Sequence, residues 1–292
     1  MAPQVTGRAF VPGHVTGFFT VDRRDDPART GSTGAGVTLT DGVTVTVEPA
    51  ESRRVLVNGV DRTVEPVTGV LDSLLGRADD VAGSGSDHQV EVRVETDLPI
   101  GAGFGVSGGM ALGTALAANR ALHLGHTENE LIRAAHVAEV EAGTGLGDVV
   151  AQARGGVPMR LEPGAPPHGR LDGIPETARV EYLSVGALST PDILETRAET
   201  ITRAGQRALD ALLDRPTLDH LLERSRKFAK AVGLLDETIT ERIEAVEDEG
   251  GQATMAMLGR TVIGFGSDLT DAGLDPTVCR VHPTGAAVRD GA

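Results

Sequence analysis

The segment PIGAGFGVSGG, Pro99 to Gly109, packs five glycines into eleven residues between a strand-like run, His88 to Glu95, and a helical pattern, Ser107 to Leu122. A strand, a loop short of Cβ atoms and a helix in direct succession leave few folds open. Residues without Cβ let backbone N–H groups converge on phosphate oxygens, and the following helix adds its own N-terminal donors and dipole. The ligand such an element takes is a phosphate or pyrophosphate. A glycine-rich turn that merely precedes a packed helix stays open on loop chemistry alone.

Gly103, Gly105 and Gly108 spell G-x-G-x-x-G, which invites a dinucleotide fingerprint. That reading needs a parallel strand after the helix, ending in an acidic residue roughly 20 residues beyond the loop. The region there, ANRALHLGHTENE, is a helix end and the start of another helix. A P-loop is excluded too, because nothing matches G-x-x-x-x-G-K-[ST] and the chain's two lysines, Lys227 and Lys230, lie far from any such turn.

Around this element the first half reads as strands: Val5 to Val11, Ala35 to Thr40, Val43 to Glu48 and Arg53 to Val57. Asp41-Gly42 between two β-branched runs predicts a hairpin. Helical patterns cover Val67 to Leu75 and Glu128 to Glu141, the latter opening on Thr127 and Glu130 as a capping box. Gly155-Gly156 leads into a strand to Leu161, and the Pro/Gly-rich stretch Glu162 to Glu176 marks a boundary. Beyond it lie a strand at Arg179 to Val185 and helices starting near Pro191, Pro216 and Asp236. Gly250-Gly251 stops the third helix, a hairpin turns about Gly259, and a short strand runs through Val278 to His282. The expectation is an α+β protein of two domains, residues 1–165 and 166–292.

Two acidic residues stand near the loop in sequence. At 3.6 residues per turn Ile132, Ala135 and Glu139 share one side of their helix, so Glu139 points to the core edge while Glu141 falls opposite. A carboxylate there needs a cation, either Mg²⁺ shared with nucleotide phosphates or one of the arginines. Asp148 leaves the turn GTGLGD, where it is either an N-cap for VVAQA or a group that orients or deprotonates a hydroxyl. Phosphate cradle, metal carboxylate and aspartate are the parts required for phosphoryl transfer.

Charge narrows the partners. With 27 Lys+Arg against 42 Asp+Glu the chain carries −15, a field that repels nucleic acid and anionic membrane. An acidic surface this poor in lysine fits work in concentrated salt, which screens carboxylate repulsion. A single cysteine, Cys279, leaves no internal disulfide and fits a reducing compartment. MAPQVTGRAFVPG has neither a basic start nor an apolar run, so a cytoplasmic, soluble protein is expected.

These residues resemble the GHMP kinases, whose second motif is P-x-G-x-G-L-G-S-S-A. Pro99, Gly101, Gly103, Gly105 and Ser107 fall on it in register. AHVAEVE, Ala135 to Glu141, is similar to that family's metal-carboxylate helix, and the spacing from Asp148 to Gly155-Gly156 to that after its catalytic aspartate. VPGHVTGFF, GSTGAGVTL, GAGFGVSGGMALG and TMAMLGRTV more narrowly resemble the family's archaeal pantoate kinase branch, across essentially the whole chain. The resemblance implies a mixed N-terminal sheet with helices, a C-terminal α/β sandwich domain, and phosphorylation of pantoate by ATP. It implies phosphate contacts from Pro99, Gly101, Gly103, Gly105, Ser107, Gly108 and Gly109, Mg²⁺ on Ser107 and Glu139, and Asp148 as catalytic residue. His14 and Thr16 lie in the segment that lines the family's acceptor site, and Arg29 and Arg154 are candidates for the pantoate carboxylate. Other substrates of the family, mevalonate or homoserine, and decarboxylation on the same fold are the alternatives, and a homodimer is left open. Two departures stand out: Val106 replaces the first serine of the pair, and the usually glycine-rich third motif is ATMAMLG.

Overall fold

The computed structural model describes residues 6–75, 89–187 and 190–289; Val5 and His88, at the ends of two expected strands, lie outside them. The fold starts from two long strands, β1 (Gly7–Phe19) and β2 (Gly34–Pro49), paired antiparallel. Their β-branched residues alternate into one apolar face, where Val11, Val15, Val43, Val45 and Val47 are buried. Asp41-Gly42 does not turn a hairpin: β2 runs straight through it. Pro12 has no N–H to donate to the ladder, and the register steps from Pro12↔Gly42 to Gly13↔Leu39. Thr40 and Asp41 therefore form a bulge, the usual place for a strand proline. The bulge is used, since Thr40 Oγ1 accepts from Arg280 N at 3.1 Å and Asp41 Oδ2 from the Tyr182 hydroxyl at 2.8 Å.

The sheet is completed by β3 (Arg54–Val57), β4 (Val60–Asp61), β5 (Val90–Glu95), β6 (Val157–Glu162), β7 (Arg170–Ile174) and, far along the chain, β12 (Ala287–Arg289). Its order is β12-β1-β2-β5-β3-β4, with β6 joined to the start of β2 and β7 to β6. β3 and β5 are parallel, the other pairs antiparallel. The Pro/Gly-rich stretch from Glu162 to Glu176 thus holds β7, and sheet membership changes between Ile174 and Arg179.

Helix α2 (Val106–Ala121) packs on this sheet, α1 (Glu65–Leu75) and α3 (Glu128–Glu141) pack against α2 and each other, and the short α4 (Asp148–Arg154) follows the GTGLG turn. α2 is buried nearly all round because its sequence is small: Gly109 sits against Val43, and a Cβ on Gly113 would press on Val45. α3 opens with the expected capping box, Thr127 N donating to Glu130 Oε2 at 2.7 Å.

The second sheet has the order β11-β8-β10-β9, from β8 (Arg179–Ala187), β9 (Ala253–Met255), β10 (Gly259–Phe265) and β11 (Thr277–Arg280). The long α5 (Thr190–Asp214), then α6 (Leu218–Ala231) and α7 (Glu237–Asp248), precede its hairpin, and α8 (Asp268–Asp271) follows. α6 and α7 pack with this sheet while α5 reaches back to β1. Among the described residues no helix is long and apolar enough to cross a membrane. A cleft opens where the turn between β9 and β10 meets the first sheet and its loops.

Candidate active site

The glycine-rich loop lies between β5 and α2. Gly101, Gly103 and Gly105 have φ of 80°, 93° and 61°, where a side chain is strained. Gly105 is the N-cap of α2 and offers no side-chain cap, so the N–H groups of the first turn are open to an anion. Three donors fix the loop, one of them also tied to β1. His14 N donates to Phe104 O (2.9 Å), Thr261 Oγ1 to Ala102 O (2.8 Å), and Gln152 Nε2 to Gly105 O (2.9 Å) and Pro12 O (3.0 Å). Gly259 also lies so close that a Cβ there would overlap the Ala102 carbonyl. Gly101, Gly103, Gly105, Ser107 and Gly108 line the cleft; Pro99 and Gly109 do not. Pro99 has no N–H to give, and Gly109 N–H is already spent on Gly105 O within the helix.

Glu139 reaches the cleft from the buried side of α3 as its periodicity predicts, and is only 2% exposed. Its Oε1 accepts from Ser107 Oγ and from Thr144 Oγ1, the latter at 2.8 Å. Burial pushes its carboxyl up to about 7 against the pull of these two hydroxyls. A Cβ at Gly145 would overlap Glu139 Oε2, so the bare turn is what gives the carboxylate its room.

Asp148 is the first residue of α4, capped by Gly147 with no side-chain bond, so it does not cap the helix. Its Oδ1 instead accepts from His14 Nδ1–H at 2.7 Å. Burial works to raise its pKa, but the His14 bond, the nearby Arg160 charge and the Thr16 hydroxyl outweigh it and hold the carboxyl below its usual range. His14 is itself wholly buried; burial keeps the imidazole below its usual range and hence neutral. It stands behind Asp148 and does not line the cleft, whereas Thr16 does.

Neither arginine proposed for a carboxylate reaches the cleft. Arg29 has a 62% exposed side chain 3.8 Å from Asp26, and Arg154 donates to Gly155 O and lies over Gly173. The cleft's cation is Arg160 on β6. It is 2% exposed, it lines the cleft beside Ser32 and Asp148, and its Nε and Nη1 have no hydrogen-bond partner. The one sequence signal for it was a charge interrupting the otherwise apolar VPMRL. Met257 and Leu258, from the third motif, complete the wall. Open helical N–H groups, a hydroxyl beside a carboxylate, an ionised aspartate and an unmatched buried cation can together bind a phosphate chain and a small acid bearing a hydroxyl.

Comparison with known proteins agrees with this geometry. Residues 67–156 match the GHMP kinases N terminal domain. The chain is 32% identical to the pantoate kinase of Methanocaldococcus jannaschii over 94% of this chain and 99% of that protein. It is 35% identical to the pantoate kinase of Thermococcus kodakarensis, covering 89% and 88%. A solved structure described as a phosphotransferase related to the CoA biosynthesis pathway superposes with a TM-score of 0.85 at 30% identity, covering 97% of this chain and 98% of that one. With likeness of that extent running through both sheets and the cleft, the chain belongs to the pantoate kinase family of the GHMP kinases.

Proposed function

We propose that this protein transfers the γ-phosphoryl group of ATP to the primary hydroxyl of pantoate, giving ADP and 4-phosphopantoate for coenzyme A biosynthesis in the cytoplasm. The observation that carries the reading is Arg160: a buried guanidinium with two unpartnered nitrogens, in one cleft with the phosphate loop and Asp148. A carboxylate bound in the cleft beside Arg160 supplies a counter-charge to this buried cation. The acid's far hydroxyl then faces Asp148, and the nucleotide phosphates lie against the N–H groups at the start of α2. The hydroxyl oxygen bonds to the γ-phosphorus as the bond to ADP breaks, and Asp148 accepts or orients the hydroxyl proton. His14, donating from Nδ1, holds the carboxylate in place and leaves its other oxygen for the substrate.

Ser107 Oγ and the Glu139 carboxylate are hard oxygen donors facing the phosphate end. Among the described residues no cluster of three or more His, Cys, Asp or Glu could hold a metal. A site of two protein oxygens completed by phosphate and water suits Mg²⁺. When bound, the cation neutralises charge on the phosphates. Because Glu139 titrates near 7, the metal-free site holds a proton below that pH, and the cation must displace it. Mg²⁺ affinity is therefore expected to fall about tenfold from pH 8 to pH 6 and to level off above. Calorimetry in two buffers of different ionisation enthalpy would read the released proton; pH-independent affinity would remove Glu139 as a ligand.

The direct test of the function is ADP release with ATP, Mg²⁺ and pantoate, against mevalonate and homoserine as controls. Preference for either control would move the substrate assignment. Run from low to molar KCl, the same assay is expected to rise in rate as salt screens the acidic surface; activity and melting temperature indifferent to KCl would refute salt adaptation.

A further inference from the structure

Among the described residues, three that are not glycine have backbone in the left-handed region: Asn58 (φ 49°), His123 (φ 53°) and Leu258 (φ 63°). Asparagine and histidine visit that region several times more often than most residues, but a bulky apolar side chain there is an outlier. Only Leu258 of the three lines the cleft.

Its conformation is imposed from both sides. Gly259 N donates to Ala256 O at 3.2 Å, closing a four-residue turn with Leu258 in third place, where a turn of this kind takes glycine. Ala256 N donates to Thr261 O at 2.8 Å, and Met257 N to Thr16 O at 3.0 Å. Gly259 is pressed against the Ala102 carbonyl of the phosphate loop. The turn is thereby locked to β1 at Thr16, which lines the same cleft as Asp148, so Leu258 borders the acceptor end of the cleft. Strain kept at a site, where glycine would relieve it, points to a job for the side chain.

The acid proposed above supplies that job. Pantoate has a carboxylate at one end, a primary hydroxyl at the other, and next to that hydroxyl a carbon bearing two methyl groups. With the carboxylate on Arg160 and the hydroxyl at Asp148, the dimethyl carbon lies between two charged groups and needs an apolar surface. Phe19, Leu146, Met257 and Leu258 are among the aliphatic and aromatic residues that line the same cleft as Thr16, Asp148 and Arg160. We infer that Leu258 is a specificity-determining residue, held in a strained turn so that its side chain packs on the dimethyl carbon and selects a branched hydroxy acid over its unbranched counterpart. The inference rests on the pantoate reading.

Leu258→Gly tests it, compared on pantoate and on 2,4-dihydroxybutanoate, which has the same carboxylate and hydroxyls but lacks both methyls. Glycine suits this φ, so Tm is expected to hold or rise. The kcat/KM for pantoate should fall about tenfold or more, the order of discrimination a lost apolar contact gives in a pocket. For the unbranched acid it should change less than about twofold. The ratio of the two values does not depend on the fraction of folded protein. Equal losses on both acids, or none on pantoate, would overturn the inference alone. Failure of the unaltered protein to phosphorylate pantoate would remove the functional reading and this inference with it.

Discussion

Asp148→Asn is expected to lower kcat for pantoate phosphorylation by about a thousandfold, within the range of about 10² to 10⁴ that a positioned base contributes, while the ATP dissociation constant stays within about threefold. The amide has the shape of the carboxylate, and its oxygen can still accept the His14 Nδ1–H bond now made at 2.7 Å. What disappears is the negative charge that takes or orients the hydroxyl proton. Fold and phosphate loop are untouched, because Asp148 does not cap α4 and the loop hangs on Gln152, Thr261 and the His14 backbone. ADP release measures the first quantity and calorimetry the second. A variant with undiminished kcat would remove Asp148 from the mechanism.

Arg160→Met should separate binding from stability in the opposite sense to most core substitutions. The guanidinium is buried with Nε and Nη1 unmatched, and a buried charge so poorly hydrogen-bonded, offset in part by the nearby Asp148, carries a desolvation cost that a methionine of similar length does not incur. The free variant is therefore expected to melt no lower than the parent, and a gain of about 1 kcal/mol would raise Tm by about 1.5–2 °C in a chain of 292 residues. Pantoate kcat/KM should nonetheless fall by at least about a hundredfold, chiefly through KM, as expected when a buried charged partner of a ligand is lost. Pantoate at a hundred times its Kd stabilises the parent by about 2.7 kcal/mol and should leave the variant's Tm unmoved. Arg160 also helps hold the Asp148 carboxyl down. Without that positive charge the Asp148 pKa rises, so the acid limb of the kcat profile should move to higher pH. A lower Tm with an unchanged pantoate KM would make Arg160 a structural residue.

The parts of the site legible in sequence were those whose chemistry is local. Glycines at φ near +60° to +90°, a capping box, and a glutamate in step with Ile132 and Ala135 all announce themselves within a few residues. Contacts across the chain were not legible. His14 and Asp148 are 134 residues apart, and nothing near either shows that the imidazole backs the carboxylate instead of lining the cleft. Arg160 escaped because arginine is so rarely buried that a lone one in a short strand reads as an edge charge, while Arg29 and Arg154 drew attention by standing near motifs. In the fold, Asp41-Gly42 carried a sound local hairpin signal, but a proline on the neighbouring strand turned it into a bulge. Only pairing register reveals that.

The pairing of β12 with β1, Arg8 against Arg289 and Phe10 against Ala287, bears on how the molecule is made. The outer edge of β1 at Arg8 to Phe10 finds its strand partner only once residue 289 has been made, nearly 280 residues later. Pairings of such long separation form late, and an unpaired apolar strand is the kind of edge that recruits other chains. During synthesis, then, the nascent protein passes through a period in which the start of its first strand is open on one side. How long that edge stays open therefore bears on the yield of folded protein, alongside the stability of the finished fold.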